Sequence, residues 1–273
     1  MAFPRVRFTI RRVMVFVALA AVVSGLASRI QRVSEANVRE ACCNNLRNIA
    51  LAVTVFSEAK GSYPAGTVAN DRFPTERRLS WLVAIAAYLD QWRWLLDLDR
   101  PWDADENRVT RGQGTVGPPT AVGRLHIMTC PAASGGREEH MPGWTWYVGI
   151  AGLGPDAPEL PVGHPRAGVF GYDRRTKPAD ITDGLATTLL IAETDVDNGP
   201  WTAGGPTTVR GLDPSRKPYI GPGRPFGGFH PGSVVVAFAD GSVRPLRDTI
   251  DPKVFEALST AAGGEALPAA WDR

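Results

Sequence analysis

The sequence has little cysteine, no excess of charge of one sign, and no acidic residue before Glu35. Three cysteines among 273 residues exclude a miniprotein built on disulfides, and the length is ample for a buried core. The net charge of +2 gives no electrostatic reason to bind nucleic acid or another polyanion. We therefore expect an ordinary folded domain with no nucleic-acid partner.

Familiar catalytic and cofactor motifs are also missing. The chain contains no His-Glu-x-x-His, Gly-x-Ser-x-Gly, Walker A or Gly-x-Gly-x-x-Gly pattern. The three cysteines lack the paired Cys-x-x-Cys spacing of a structural zinc site. These absences predict a protein that is not an enzyme, with no catalytic residue, no metal ligand and no resident cofactor.

An uncharged apolar run occupies residues 13–28, after a segment that carries Arg5, Arg7, Arg11 and Arg12. As a helix the run is about 24 Å long, which spans a bilayer if the flanking arginines extend to the lipid headgroups. The basic segment before it predicts a cytoplasmic N-terminus and an exported body. A cleaved secretory signal ending before Ser28 is the alternative.

The helical pattern continues beyond the apolar run. Apolar residues follow helical spacing along one stripe from Cys42 to Phe56, and no Pro or Gly interrupts residues 30–60. Gly61 and Pro64 then predict the end of the helix. The predicted organisation is a cytoplasmic basic segment (1–12), a transmembrane anchor (13–28), an amphipathic continuation of the helix (29–60) and an extracytoplasmic head domain (61–273).

The head domain is predicted to contain short elements, because 29 glycines and 23 prolines divide the chain. A helix is expected over residues 79–96, and strands over 125–128, 144–150, 188–193 and 233–239. Residues 233–239 should be buried on both faces. Asp240 and Gly241 predict a two-residue type I′ hairpin turn that places Phe238 opposite Val243, with Pro245 on an edge strand.

Several short motifs occur in a recognisable order along the chain. They are Cys-Cys-Asn-Asn-Leu on the first helix, Ser-Tyr-Pro-Ala-Gly after it, Thr-Cys-Pro, Ile-Thr-Asp-Gly and a His-x9-Asp-Gly motif. The residues assigned to these motifs are Cys42, Asn44, Asn45, Leu46, Cys130, Pro131, Thr182, Asp183, Gly184, Glu193, His230, Asp240 and Gly241. Together they resemble the planctomycete family of pilin-like proteins called domain of unknown function 1559.

The resemblance implies an α+β fold of the type IV pilin or pseudopilin kind, with a long N-terminal helix packed on an antiparallel sheet. It also implies a Cys42–Cys130 disulfide, which leaves Cys43 as a free thiol. The sequence departs from the family pattern because no Gly precedes Phe8 and no glutamate lies inside the apolar run. This departure favours a permanently anchored protein that does not polymerise.

Three further hypotheses concern binding. His230 and Asp240 lie at opposite ends of a predicted strand over 20 Å long, so they are expected to shape its ends rather than form an acid–base pair. Asp183, Glu193, Asp195 and Asp197 suggest a calcium site, with solvated loop carboxylates as the alternative. Six tryptophans could form a carbohydrate or partner surface, with core packing as the alternative: Trp92, Trp94, Trp102, Trp144, Trp146 and Trp201.

The leading prediction is therefore a membrane-anchored, extracytoplasmic, pilin-like structural or assembly protein related to type II secretion pseudopilins. Its expected partners are membrane lipid and other pilin-like subunits or envelope proteins. The alternative is an anchored binding module for a glycan, a peptide or a calcium ion.

Overall fold

A computed structural model describes residues 10–89, 96–107, 126–133 and 143–271. Helix α1 (Ile10–Lys60) runs without a break, as predicted. It ends where Gly61 adopts a φ of +73° and donates its amide to the Ser57 carbonyl. Within the described residues, no helix is both long enough and apolar enough to cross a membrane.

The second helix is much shorter than predicted. Helix α2 (Trp81–Ile85) begins after Ser80, whose hydroxyl accepts a hydrogen bond from the Leu82 amide, and a 3₁₀ turn (Ala86–Tyr88) follows it. Leu89 then turns to an extended conformation and buries its side chain, which ends the helical path. The remainder of the expected helix falls at residues 90–95, outside the described residues.

Among the described residues, five strands form one mixed sheet in the order β3-β1-β2-β4-β5. Their bounds are β1 (Tyr147–Leu153), β2 (Leu189–Glu193), β3 (Val209–Leu212), β4 (Ser233–Phe238) and β5 (Val243–Arg247). The fold is α+β as expected. The sheet, however, is not purely antiparallel, because β3 lies parallel to β1. The sequence of β3 gave no signal, since it is short and contains Arg210 and Gly211. A Cβ at position 211 would collide with the Gly154 carbonyl, so glycine is required there.

The expected strand over 125–128 is wrong for its described part. Residues His126–Met128 form a 3₁₀ turn. Cys130, two residues later, is bonded to Cys42 on α1, so the chain turns toward the helix here instead of running along the sheet.

The hairpin between β4 and β5 is confirmed, but its turn is not type I′. Gly241 has a φ of +82°, whereas Asp240 does not lie in the left-handed region. The Gly241 amide donates to the Phe238 carbonyl, and the Phe238 amide donates to the Ser242 carbonyl. This is a three-residue loop with glycine at its last position, and it shifts the register so that Ala237, not Phe238, faces Val243. Pro245 does lie on the edge strand.

Both faces of the sheet are covered, as expected for β4. On one face, Val235 and Ala237 join a core formed with the C-terminal half of α1, including Leu46, Ile49 and Val53. On the other face, Val234, Val236 and Phe238 join a core with helix α3 (Pro252–Ser259), which contributes Phe255 and Leu258. The head is therefore a three-layer structure with the sheet in the middle.

Arg174 is a buried cation that organises the loops beside β1. Its guanidinium donates to five backbone carbonyl oxygens, those of Ala151, Ala157, Leu160, Gly168 and Phe170. Burial lowers the pKa of Arg174 to about 10, which still leaves the side chain charged at neutral pH. The guanidinium thus links β1, through the Ala151 carbonyl, to the loop segments that contain the other four carbonyl groups.

Replacing Arg174 with Met should lower the free energy of unfolding by about 3 kcal/mol, because buried carbonyl groups then lose their donor. Chemical denaturation of the purified full-length chain, followed by circular dichroism, measures this change. The control is Arg175→Met at the adjacent exposed position, which should change stability by less than about 0.5 kcal/mol. Equal losses for the two variants would contradict this role of Arg174.

Candidate functional site

Four side chains of metal-ligating type meet in the core at one end of the sheet. Cys42 comes from α1, Cys130 from the turn before residue 131, Glu193 from the end of β2, and His230 from the segment before β4. All four are buried, and one ligating atom from each lies within 4.8 Å of the others. It is the one such group of His, Cys and carboxylate side chains found among the described residues.

The antiparallel pairing of β2 with β4 brings Glu193 and His230 together. In such a pair, the end of one strand lies beside the start of the other. The Glu193 carbonyl also accepts a hydrogen bond from the Gly227 amide, in the segment that leads to His230 and β4. His230 itself begins a turn, since its carbonyl accepts from the Ser233 amide.

The expected disulfide between Cys42 and Cys130 is present, with a Cα–Cα distance of 5.3 Å and a sequence separation of 88 residues. Closing a loop of this length stabilises the fold by at most about 4 to 5 kcal/mol in the chain-entropy description. Asn45, one turn along α1, donates to the Thr129 carbonyl at 3.0 Å. Two contacts, one covalent and one polar, therefore fix the Cys130 segment to the helix.

Cys43 is the free cysteine, and it is buried. Burial raises the pKa of the Cys43 thiol, and the Glu40 carboxylate raises it further. A thiol in this setting remains protonated and unreactive at neutral pH.

His230 lies against both the disulfide and a carboxylate. Its Nε2 is 3.3 Å from the Cys130 Sγ and 3.6 Å from the Glu193 Oε1. The expectation that His230 only shapes the start of β4 is therefore incomplete, because its side chain is 4% exposed and faces a buried polar cluster. Asp240, at the other end of β4, does shape the turn, where its Oδ1 accepts from the Ser242 amide at 2.9 Å.

Glu193 is the group of the cluster whose hydrogen-bonding capacity is least used. Its side chain is fully buried, and neither carboxylate oxygen has a hydrogen-bond partner among the described residues. Burial raises the pKa of the neighbouring Tyr147 well above its usual value, and the Glu193 carboxylate is the second cause. Because a buried carboxylate without hydrogen bonds is costly, the position of Glu193 favours a positively charged partner beside it.

The other motif residues lie outside this cluster and stabilise local structure. Asp183 accepts hydrogen bonds from the Gly263 and Gly264 amides, at 2.7 and 3.0 Å, and so holds the C-terminal segment. Gly184 has a φ of +98°, and its carbonyl accepts from the Thr188 hydroxyl. Of the rest, Leu46 is in the core, Asn44 bonds to Arg47 at the surface, Thr182 is exposed and Pro131 begins a 3₁₀ turn.

The carboxylates of the calcium hypothesis have different partners. Asp183 binds backbone amides of the C-terminal segment, and Asp197 pairs with Arg216 at 3.3 Å. Glu193 belongs to the buried cluster with His230 and the disulfide. These contacts place Asp183, Glu193 and Asp197 in separate local structures rather than in one ligand shell.

Of the four tryptophans of this hypothesis that the structure describes, two are core residues and two are partly exposed. Trp201 and Trp146 are buried, and the Trp146 ring packs edge-on against Phe229 at 5.2 Å between centroids. Trp102 and Trp144 are partly exposed. Trp92 and Trp94 lie outside the described residues.

Sequence reasoning missed the cluster because it considered the cysteines alone. Their spacing carries no zinc signature, and the structure adds His230 and Glu193 from distant segments. A usable signal was Glu193 itself, an acidic residue at the end of the apolar predicted strand 188–193.

When the chain is denatured without a reductant and treated with an alkylating reagent, Cys43 alone should be modified. Cys42 and Cys130 should react only after reduction, because they are bonded to each other. Peptide mapping by mass spectrometry with and without reductant measures this. In the native chain Cys43 should resist the reagent, since it is buried. Modification of Cys42 and Cys130 in the unreduced sample would contradict the pairing.

Comparison with known proteins gives one match. A family model described as protein of unknown function (DUF1559) matches residues 31–212, which is more than half of the chain. The match includes Cys42, Cys130 and Glu193, whereas His230 follows it in the sequence. No curated protein and no solved structure matches the chain. The order of the motifs and this match together show that the chain belongs to the DUF1559 family of proteins of unknown function.

Proposed function

We propose that the protein is a membrane-anchored, extracytoplasmic structural or assembly component with a pilin-like architecture. The observation that carries the proposal is the contrast between the two halves of α1. From Cys42 onward the helix contributes buried residues to the head, whereas residues 17–37 are exposed on every side.

The exposed half of α1 is apolar. Seven large apolar side chains between residues 17 and 33 are 55–68% exposed: Val17, Leu19, Val22, Val23, Leu26, Ile30 and Val33. The described head domain offers no surface that covers them. Since exposed apolar area of this extent is unfavourable in water, the segment calls for an apolar environment.

The charges around this segment favour a lipid environment over a protein one. Basic residues precede the uncharged run of residues 13–28, Arg29 and Arg32 follow that run, and no carboxylate occurs before Glu35. Arginines at the ends of an apolar helix can reach the headgroup region. The basic N-terminal segment favours an orientation with the head outside the cytoplasm.

A long helix whose C-terminal half packs on one face of a sheet supports the comparison with pilins. In the described head, the stripe that includes Cys42, Leu46, Ile49 and Val53 makes this contact. The apolar run itself contains no carboxylate that could pair with the N-terminus of a neighbouring subunit. We therefore favour a monomeric, permanently anchored relative over a filament subunit.

The double variant Val22→Glu/Leu26→Glu should release the protein from membranes. Each carboxylate placed in the hydrocarbon core opposes insertion by about 2 to 3 kcal/mol or more. Membranes from cells that produce the full-length chain are washed at alkaline pH, and the retained fraction is measured by immunoblotting.

The matched control is Leu51→Glu/Val55→Glu, which has the same spacing on α1, at positions that are 61% and 39% exposed beside the head. The control should remain in the membrane fraction like the wild type. Release of the wild type by the alkaline wash, or equal behaviour of the two double variants, would overturn the membrane proposal.

The membrane fraction should contain the full-length chain with an unmethylated N-terminus, because the sequence has neither the glycine nor the glutamate of the expected processing site. Intact mass and N-terminal sequencing measure this. A soluble chain beginning near Ser28 would show a cleaved signal instead. A methylated N-terminus near Phe8 would show processing of the pilin type and would contradict permanent anchoring of the unprocessed chain.

A further inference from the structure

The buried cluster has no part in anchoring the chain. A structural role for the disulfide alone does not explain why Glu193 is fully buried without a hydrogen-bond donor among the described residues. Nor does it explain why His230 lies between that carboxylate and the Cys130 sulfur. A bound cation explains both placements, because it neutralises the carboxylate and takes the imidazole nitrogen as a ligand.

The donor set of the cluster matches zinc. Two cysteine sulfurs, one imidazole nitrogen and one carboxylate oxygen form the mixed four-ligand shell that zinc accepts in tetrahedral sites. Bond lengths of about 2.0 to 2.3 Å place the ligand atoms of such a shell about 3.3 to 3.8 Å apart. The His230 Nε2 already lies 3.3 Å from the Cys130 Sγ and 3.6 Å from the Glu193 Oε1.

We propose that the reduced chain binds one zinc ion through Cys42, Cys130, Glu193 and His230, and that this state and the disulfide are alternative forms of one site. With the disulfide formed, the two sulfurs are bonded to each other and are not thiolates. Only the carboxylate and the imidazole then remain as full ligands, which is too few for tight binding.

The exchange between the two forms is balanced with a dithiol as the reductant. The dithiol supplies two electrons and two protons, so that the S–S bond of the protein breaks, two thiols form, and the reductant becomes a disulfide. Zinc then replaces the two thiol protons, which pass to solvent. The reverse exchange requires a disulfide of the same class as the oxidant.

Zinc binding to the reduced site is balanced in charge. The two thiolates that form offset the two positive charges of the zinc ion, so binding adds no net charge to the buried site. Zinc also places a positive charge beside the buried Glu193 carboxylate.

Cys43 provides an internal control for this proposal. It is a buried free thiol directly after Cys42 on α1, but it is not a member of the ligand group. Adjacent residues on a helix point in directions about 100° apart, so Cys43 cannot replace Cys42 without rotation of the helix.

The test uses the full-length chain in detergent, reduced with a phosphine under anaerobic conditions. The reductant is removed, zinc is added, and bound metal is measured by elemental analysis and by competition with a chromophoric chelator. The reduced wild type should bind one zinc per chain, and the oxidised wild type should bind none at the same concentration. Cobalt in place of zinc should give the visible absorption and the sulfur-to-metal band of a tetrahedral site with thiolate ligands.

Variants assign the ligands. Cys130→Ser, Glu193→Gln and His230→Gln should each weaken zinc binding by at least about tenfold, since even the loss of an outer-shell partner has an effect of this size. Cys43→Ser should bind zinc like the wild type. Circular dichroism of each variant shows whether it folds. Where a variant does not fold, the cobalt spectrum of the wild type shows whether thiolates ligate the metal.

Three results would overturn the proposal: a folded, reduced wild type that binds no zinc, equal binding by the oxidised chain, or a cobalt spectrum without thiolate ligation. An equal loss in Cys43→Ser would contradict the ligand assignment. These outcomes are independent of the alkaline-wash experiment, because the ligands lie in the head and not in the exposed half of α1.

Discussion

The packing of the C-terminal half of α1 against one face of the sheet is the contact on which the rest of the structure depends. Leu46, Ile49 and Val53 bury their side chains there, and Cys42 extends the contact through its bond to Cys130. This contact fixes the direction in which the other half of α1 leaves the head. It also closes one side of the sheet, while helix α3 closes the other. A change in the helix register would therefore disturb the core and the cluster together.

The cluster of Cys42, Cys130, Glu193 and His230 brings together residues from several of the family motifs. The His-x9-Asp-Gly motif spans the whole of β4, so its histidine reaches the buried cluster while its Asp-Gly forms the turn at the opposite end. The nine intervening residues are mostly a strand that crosses the core. Their number follows from the length of that strand, and the two ends of the motif have separate roles.

Much of the architecture could be predicted because it depends on local chemistry. The continuation of the helix beyond the apolar run follows from residues 30–60, which contain no Pro or Gly, and the β4–β5 hairpin follows from Asp240 and Gly241 between apolar segments. The register of the hairpin was harder to predict. The loop has three residues instead of two, so Val243 pairs with Ala237 and not with Phe238. The parallel strand β3 was not predicted, because a four-residue segment with Arg210 and Gly211 has no strand pattern of its own and is held by its neighbour β1.

The sequence by itself determined the long helix, its two contrasting halves, the buried strands β2 and β4, and the edge position of Pro245, because each depends on residues close together in the chain. The resemblance to a known family supplied the disulfide. Only the tertiary structure decided that Glu193 and His230 join that disulfide. Antiparallel pairing places the end of β2 beside the start of β4, and the helix carries Cys42 to the same place. No local pattern encodes the meeting of four segments so far apart in the chain.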